Sequence, residues 1–344
     1  METKKNFKEA VLWEPAADKK VRCFLCNWRC LIGEGKFGNC RVRKNIGGVL
    51  YSLVYDKVCS ANADPIEKKP LFHFQPGSRS FSICTPGCNF QCDFCQNWQI
   101  SQAVIEGGLI EGQAVGPDKI VSMAERSRCK SIAYTYTEPT IFMELCADTG
   151  QLAKDKGLTN VFVSNGYMTR EAIDFAKDWL NGINIDLKSF SEDYYKKLCH
   201  AKLKPVLDTI SYIANETDIW MELTTLVVPG QNDSEDELKQ IAEFIVEKAG
   251  PDVPWHISRF YPQYKMDNDI PTPMETLERA FEIGKAAGVR YIYLGNVPGA
   301  KTESTVCYNC GQMLIERYGY QIVANNIENS CCPNCGTKIA GFEL

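Results

Sequence analysis

Apolar residues recur along the middle of the chain in short runs separated by helix-length spacers. The runs are Phe81-Ser82-Ile83-Cys84, Ser131 to Tyr136, Asn160 to Ser164, Ile183 to Leu187, Met221 to Val227, Trp255 to Ser258 and Tyr291 to Leu294. Runs of this length predict strands, and strands alternating with helices predict right-handed βαβ units in a parallel sheet. About seven such strands predict an α/β chain folded as a partial (β/α)6 TIM-like barrel with an extra strand, its functional groups at the C-terminal strand ends. Upstream, Val49 to Tyr55 reads as a further strand, and residues 1–20 read as a lysine-rich helix or an extended lead anchored by Trp13. The pattern suggests three parts: a cysteine-rich segment over 1–60, the barrel over 61–300, and a tail over 301–344.

Seventeen cysteines change this picture. Their short spacings suit metal ligation better than a disulfide framework. Cys88, Cys92 and Cys95 are spaced C-x3-C-x2-C in the loop that follows the first strand. A [4Fe–4S] cluster is ordinarily held by four cysteines, so three from one loop would leave one iron open to a ligand. Cys84 offers an alternative, a closed electron-transfer cluster or a zinc site of four thiolates. Cys23, Cys26, Cys30 and Cys40, with Gly33, Gly35 and Gly38 among them, suit a compact knuckle holding zinc, a second iron–sulfur cluster or no metal at all. In the tail, Cys307-x2-Cys310-Gly311 and Cys332-x2-Cys335-Gly336 have zinc-ribbon spacing, with rubredoxin-like iron as the minor option and Cys331 as a spare neighbour. Residues 301–344 have too few apolar residues for a core of their own, so a metal should hold them. Their removal is expected to spare the chemistry of the barrel.

The predicted strand ends carry polar groups: Glu138 in Tyr136-Thr137-Glu138-Pro139-Thr140, Ser164-Asn165-Gly166, and Asp186-Leu187-Lys188. Asp186 can accept hydrogen bonds and Lys188 can pair with a carboxylate, while a helix cap or a surface ion pair is the plain structural alternative for each. Val227 to Asp233 and Arg259 to Tyr264 offer apolar walls. Arg259 would meet a substrate carboxylate or phosphate, or make a structural ion pair. His73, set between aromatics, reads as a packed histidine.

The cysteine loop, with Phe94 before its third cysteine, resembles the cluster loop of the radical S-adenosylmethionine (radical SAM) superfamily. Taken with the N-terminal knuckle and Val42-Arg43, Asp64 to Phe74, Tyr134 to Thr140, Asp186 to Lys188 and the tail knuckles, the chain resembles the AmmeMemoRadiSam-system radical SAM enzymes, which are similar to pyruvate formate-lyase activating enzymes. It departs from them at Asn27-Trp28-Arg29, where Pro before His or Arg is common, and at Cys84, where a small residue is usual. Tyr136 and Thr137 replace the two glycines of the Gly-Gly-Glu-Pro stretch. The resemblance implies a [4Fe–4S] cluster on Cys88, Cys92 and Cys95 that binds SAM at its open iron and cleaves it reductively to a 5′-deoxyadenosyl radical. It implies SAM-binding roles for Glu138, Ser164, Asn165, Asp186 and Lys188, with adenine between the apolar walls. The implied partners are a protein substrate, as for a glycyl-radical activating enzyme, and an electron donor such as flavodoxin or ferredoxin. RNA or a small metabolite is the alternative substrate. A non-catalytic iron–sulfur or zinc protein, for electron transfer or binding, is the alternative of another class.

The net charge is −5, of which residues 1–50 carry +6 (11 Lys and Arg against 5 Asp and Glu) and the remainder −11. The total argues against bulk affinity for nucleic acid, without excluding it, and the basic segment suits an acidic partner. No apolar run has the ~20 residues of a membrane span, and Met1 to Lys8 has no signal-peptide core. A reducing cytoplasm is expected, in an anaerobic or micro-aerobic cell.

Overall fold

A computed structural model describes residues 7–105, 107–297 and 301–344. By its internal contacts the chain divides into two compact units: residues up to Ala63 together with Ser80–Asn181, and Asp64–Arg79 together with Gly182–Leu344.

In the first unit the predicted strands form over Arg79–Cys84 (β1), Ser131–Tyr134 (β2) and Thr159–Ser164 (β3), with helices over Pro117–Arg126 (α1), Met143–Asp155 (α2) and Arg170–Ala176 (α3). Strand β2 pairs in parallel with β1 and with β3, and the register sets Ile83, Tyr134 and Phe162 in one row. Since that row is the last full one of β2, the chain leaves all three strands at one edge, which carries the cysteine loop, Glu138 and Ser164-Asn165. Pro117 opens α1, where a missing N–H costs nothing, and Thr169 caps α3 by accepting from the Ala172 N–H. The N-terminal segment is extended, with short strands at Lys8–Glu9 and Trp13–Pro15 in place of a helix. Trp13–Pro15 pairs with Val21–Cys23, which pairs with Leu31–Ile32; Arg43–Ile46 pairs with Val49–Ser52.

The second unit continues the alternation with Gly182–Asp186 (β4), Leu203–Glu216 (α4), Trp220–Val227 (β5), Glu235–Phe244 (α5), Trp255–Arg259 (β6), Met274–Ala287 (α6) and Ile292–Gly295 (β7). The four strands are parallel in sequence order. Gly288 ends α6 at φ +101°, a left-handed cap that glycine adopts without strain. Among the described residues no helix is long and apolar enough to cross a membrane.

The tail packs into the second unit. Its antiparallel strands Thr305–Val306, Met313–Tyr318 and Gln321–Asn325 carry Leu314 and Ile315 into one apolar cluster with Phe72, Tyr291 and Tyr293. Arg317 is buried there, donating to Phe72 O at 2.8 Å and Thr305 Oγ1 at 2.7 Å, with Glu67 Oε1 at 3.7 Å. Beside it the fully buried Glu222 accepts from the Phe72 and His73 N–H groups, from Trp220 Nε1, and from His256 Nε2 at 2.7 Å. His73 is packed as expected: Nδ1 meets Ala340 O at 2.7 Å and Nε2 meets Tyr293 OH at 2.5 Å. The short tail core is thus completed by barrel aromatics, and both partners of its ion pair are out of water. Removing residues 301–344 should destabilise the second unit.

Two predictions follow from this burial. Arg317→Met leaves Glu67 buried without its cation and should cost about 3–5 kcal/mol in urea unfolding, with E67Q in the same chain recovering part of the loss. Equal stability for R317M would mean that the pair contributes nothing. Burial also lowers the His73 pKa from 6.5 to about 4. The unfolded chain then takes a proton first, so the contribution of neutral His73 is whole above pH 6.5 and is lost as pH falls to about 4. Full protonation should remove roughly 3 kcal/mol of stability. His73→Gln should flatten unfolding free energy against pH within that window, and a slope as steep as wild type would assign it to other groups.

Candidate active site

The cysteine loop starts where β1 ends. Gly87 turns the chain at φ +103°, and a Cβ there would meet Val42 Cγ1 at 2.9 Å, so glycine is needed for both the turn and the close approach. Cys88 Sγ then accepts from the Phe90 N–H at 3.4 Å and, more weakly, from Asn165 Nδ2 at 3.9 Å; Cys95 Sγ lies 3.2 Å from Ser101 Oγ. Such donors around sulfur favour thiolates bound to metal. Burial pushes the unmetallated Cys88 thiol well above its ordinary pKa, reinforced by Glu138 and by the Cys92 and Cys95 thiols. A metal reverses this by replacing the proton. The donor set therefore fits an iron–sulfur cluster.

Cys84, the candidate fourth ligand, is differently engaged. It is fully buried at the end of β1, with its sulfur 3.4 Å from that of Cys59, whose N–H donates to Cys84 O at 3.0 Å.

Glu138 lies at the same edge, only 1 % exposed. Its Oε1 accepts from the Thr140 N–H at 3.1 Å, Thr140 Oγ1 at 2.5 Å and Ser164 Oγ at 2.8 Å, while Oε2 accepts from the Asn165 N–H at 2.8 Å. Burial raises its pKa, and these same donors oppose the rise. Asn165 passes the order on, giving Nδ2 to Asn89 Oδ1 at 2.7 Å. Glu138, Ser164, Asn165 and Cys88 thus form one connected group, in which the carboxylate is bound by the chain's own donors. Tyr136 takes φ +63°, a conformation proper to glycine, and its carbonyl accepts from Asn97 Nδ2 at 2.8 Å.

Asp186 and Lys188 belong to the second unit, at the end of β4. They pair with each other, Lys188 Nζ to Asp186 Oδ2 at 2.8 Å. The Lys188 backbone is fixed on both sides, its N–H donating to Tyr195 OH and its carbonyl accepting from Asn232 Nδ2. Arg259 Nε donates to Thr272 O at 2.8 Å and its Nη1 to Tyr261 OH at 3.4 Å.

Three sets of cysteines contrast in spacing. In the tail, the sulfurs of Cys307, Cys310, Cys332 and Cys335 all lie within 4.8 Å of one another, with 3.7 Å between Cys307 and Cys335 and 3.6 Å between Cys310 and Cys332. Four thiolates on one zinc at ~2.3 Å would stand about 3.8 Å apart, so this group fits a zinc ribbon. Each knuckle closes on a left-handed glycine, Gly311 at φ +73° and Gly336 at φ +71°. Among the described residues, the tail set is the one cysteine group found within 4.8 Å. Thiolates on separate irons of a cubane stand wider, roughly 6 Å.

Comparison with known proteins agrees with this geometry. Residues 82–245 match the model of the Radical SAM superfamily, a span that includes all three loop cysteines and Glu138. A Methanocaldococcus jannaschii protein provisionally named a glycyl-radical enzyme activating enzyme is 30% identical over 223 residues, 64% of this chain and 80% of that one. The chain belongs to the radical SAM superfamily. It is an enzyme of that family, with the α/β fold and parallel strands its members share. An uncharacterised protein of the same organism is 45% identical over 334 residues, covering 96% of this chain and 98% of its own. Among solved structures, a radical SAM methyltransferase from Sphaerobacter thermophilus is similar in fold at TM-score 0.51 and 15% identity, over 70% of this chain and 71% of that one. Streptococcus suis SuiB is similar at TM-score 0.50 and 11% identity, over 67% and 52%.

Sequence reasoning missed the Cys59–Cys84 contact, the saturation of Glu138, and a buried ion pair between Arg43 and Glu144. The pairing of Val42-Arg43 with the knuckle motif was the available signal for the last. Replacing Glu138 with Gln puts an N–H₂ where donors converge and should lower unfolding free energy by about 1–3 kcal/mol. The perturbation should reach Asn165 and shift the electronic spectrum of the reconstituted protein. A stable E138Q chain with an unchanged spectrum and weakened SAM binding would instead make Glu138 a direct SAM contact.

Proposed function

We propose that this radical SAM enzyme cleaves SAM reductively at a [4Fe–4S] cluster on Cys88, Cys92 and Cys95 and abstracts a hydrogen atom from a protein substrate, as a glycyl-radical activating enzyme. The observation that carries the cluster assignment is the loop itself. Cys88 Sγ accepts from the Phe90 N–H and Cys95 Sγ lies against Ser101 Oγ, while the fourth candidate, Cys84, has its sulfur against Cys59. When bound, the cluster supplies one-electron reduction of SAM and hence the 5′-deoxyadenosyl radical.

The residues of the chain bind and orient. Glu138 holds Asn165, and Asn165 holds Asn89 next to Cys88, while Asp186 and Lys188 pair with each other at the end of β4 and carry the groups, a carboxylate and an ammonium, that the resemblance assigns to SAM. The activating role rests on the similarity to the provisionally named activating enzyme. It implies a protein partner able to carry a backbone radical and an electron donor of the flavodoxin or ferredoxin class. The tail set holds zinc in this proposal, closed by four thiolates and therefore structural.

The test is anaerobic reconstitution with iron and sulfide, addition of SAM and dithionite, and chromatography for 5′-deoxyadenosine. Cys88→Ala, Cys92→Ala and Cys95→Ala should each abolish product, whereas Cys84→Ala should keep more than half. Equal loss for C84A would favour a closed four-cysteine cluster. For the substrate, the enzyme co-expressed with neighbouring-gene proteins should give one of them a glycyl-radical doublet in electron paramagnetic resonance. Product formation without any such partner, but with turnover of a small metabolite or RNA, would overturn the activating role alone.

A further inference from the structure

The N-terminal knuckle is built against the cluster loop. Trp28, between Cys26 and Cys30, donates its indole N–H to Asn89 O at 2.8 Å, one residue from Cys88. Asn27 donates Nδ2 to Met168 O at 2.6 Å, and Thr169 donates Oγ1 to Phe24 O at 2.7 Å while capping α3. Arg29 forks onto both carboxylate oxygens of Glu171 at 2.9 and 3.0 Å. From the loop side, Gly87 leaves room for Val42, and a Cβ there would also come within 3.4 Å of Cys40 O. These contacts fix the knuckle on the active-site edge of the first unit.

Its interior is that of a ligand shell. Cys23 and Cys40 are buried and Cys26 and Cys30 are partly so. The hairpin bond from Cys23 N–H to Cys30 O brings two of the four together, and the turn from Gly38 to Arg41 carries Cys40 back to the other strand. Arg41 follows Cys40 at φ +61°, the left-handed place that Gly311 and Gly336 hold after the second cysteine of each tail knuckle. An arginine in that conformation is costly and persists where the surroundings over-determine it. Arg43 enters the shell from behind, its side chain buried. Its Nη1 donates to Cys23 Sγ at 3.4 Å, its Nη2 donates to Val11 O at 2.8 Å, and it forms an ion pair with buried Glu144. Its Nε has no hydrogen-bond partner. A buried guanidinium donating to sulfur is the kind of second support that metal-bound thiolates receive.

We propose that Cys23, Cys26, Cys30 and Cys40 hold a second iron–sulfur cluster, a [4Fe–4S] centre closed by four thiolates, mounted on the loop of the first. The four thiolates supply the full ligand count, leaving no open iron. A single zinc would draw all four sulfurs within 4.8 Å, and among the described residues the tail set is the one cysteine group found at that radius.

The experiment removes the first cluster and leaves the second. The full-length C88A/C92A/C95A chain, purified and reconstituted anaerobically, should retain about four irons and about four sulfides, with a reducible cluster signal in electron paramagnetic resonance. Adding C26S and C40S should remove iron, sulfide and signal together. Since the readout is the content of an unmutated knuckle, misfolding of the C26S/C40S chain does not affect the result from the triple variant. The otherwise wild-type chain should bind about eight irons, falling to about four in the triple variant and to about four in a chain that carries C26S and C40S alone. A triple variant without iron overturns the proposal. So does a second zinc beyond the one lost on Cys332→Ser, which would make the knuckle a single-ion site. Loss of 5′-deoxyadenosine with both iron contents intact would count against the proposed function and leave this inference standing.

Discussion

A carboxylate buried to 1 % exposure with no cation among its hydrogen-bond partners is expensive unless every oxygen is met by a donor, and Glu138 meets that condition. Its donors come from the turn after β2 and from the end of β3, so the two strand ends cannot separate without leaving it unsatisfied. Asn165 extends the constraint to Asn89 and, at longer range, to Cys88. A cluster placed on the loop would therefore have the position of at least one ligand set by a carboxylate it does not touch. Preorganisation of this kind is what a radical reaction needs from its protein, since the chemistry belongs to the cofactor.

The same logic recurs on the knuckle side. Arg43 and Glu144 are 101 residues apart in sequence and both out of water, an arrangement that is costly to break and that fixes the knuckle on α2. In the second unit, Glu222 and Arg317 tie the tail and the 66–74 segment to β5 and β7. Each unit is thus locked by buried polar groups, and each lock holds a cysteine module against the strands. Both cysteine modules are built into the units that carry them.

How much of this was legible in the sequence follows from what is local. The β/α alternation is periodic and the cysteine spacings are short, so strands β1 to β7, the loop and the tail knuckles could be read directly. Partners distant in sequence could not. Glu144 in the first turn of α2 looks like an ordinary dipole-complementing residue, and nothing near it names Arg43. Glu138 was legible as an acidic group at a strand end, but its donors Ser164 and Asn165 are brought there by strand register. The polar composition of the tail correctly indicated an insufficient core; it could not show that Phe72, Tyr291 and Tyr293 complete it. The helix considered for residues 1–20 failed where described because Trp13–Pro15 finds an antiparallel partner in Val21–Cys23, and ladder pairing outweighs a weak local preference.

Tyr136 holds a conformation that its residue type alone does not suggest. Tyr136 and Thr137 stand where the Gly-Gly-Glu-Pro stretch has glycines, the residues that adopt positive φ without strain. The structure keeps the conformation and changes the residue: Tyr136 stands at φ +63°, which costs an L-residue about 1–2 kcal/mol. The restraint comes from two directions. Asn97, two residues beyond Cys95, donates to the Tyr136 carbonyl, and Thr137 Oγ1 donates to Thr85 O, between Cys84 and the loop. Both ends of the cysteine loop thus hold the turn that delivers Glu138. Strain in the turn and order in the loop are then one quantity seen from two sides: whatever fixes the loop, a bound cluster included, stabilises the left-handed tyrosine, and the left-handed tyrosine presents Glu138 to the donors that position Cys88.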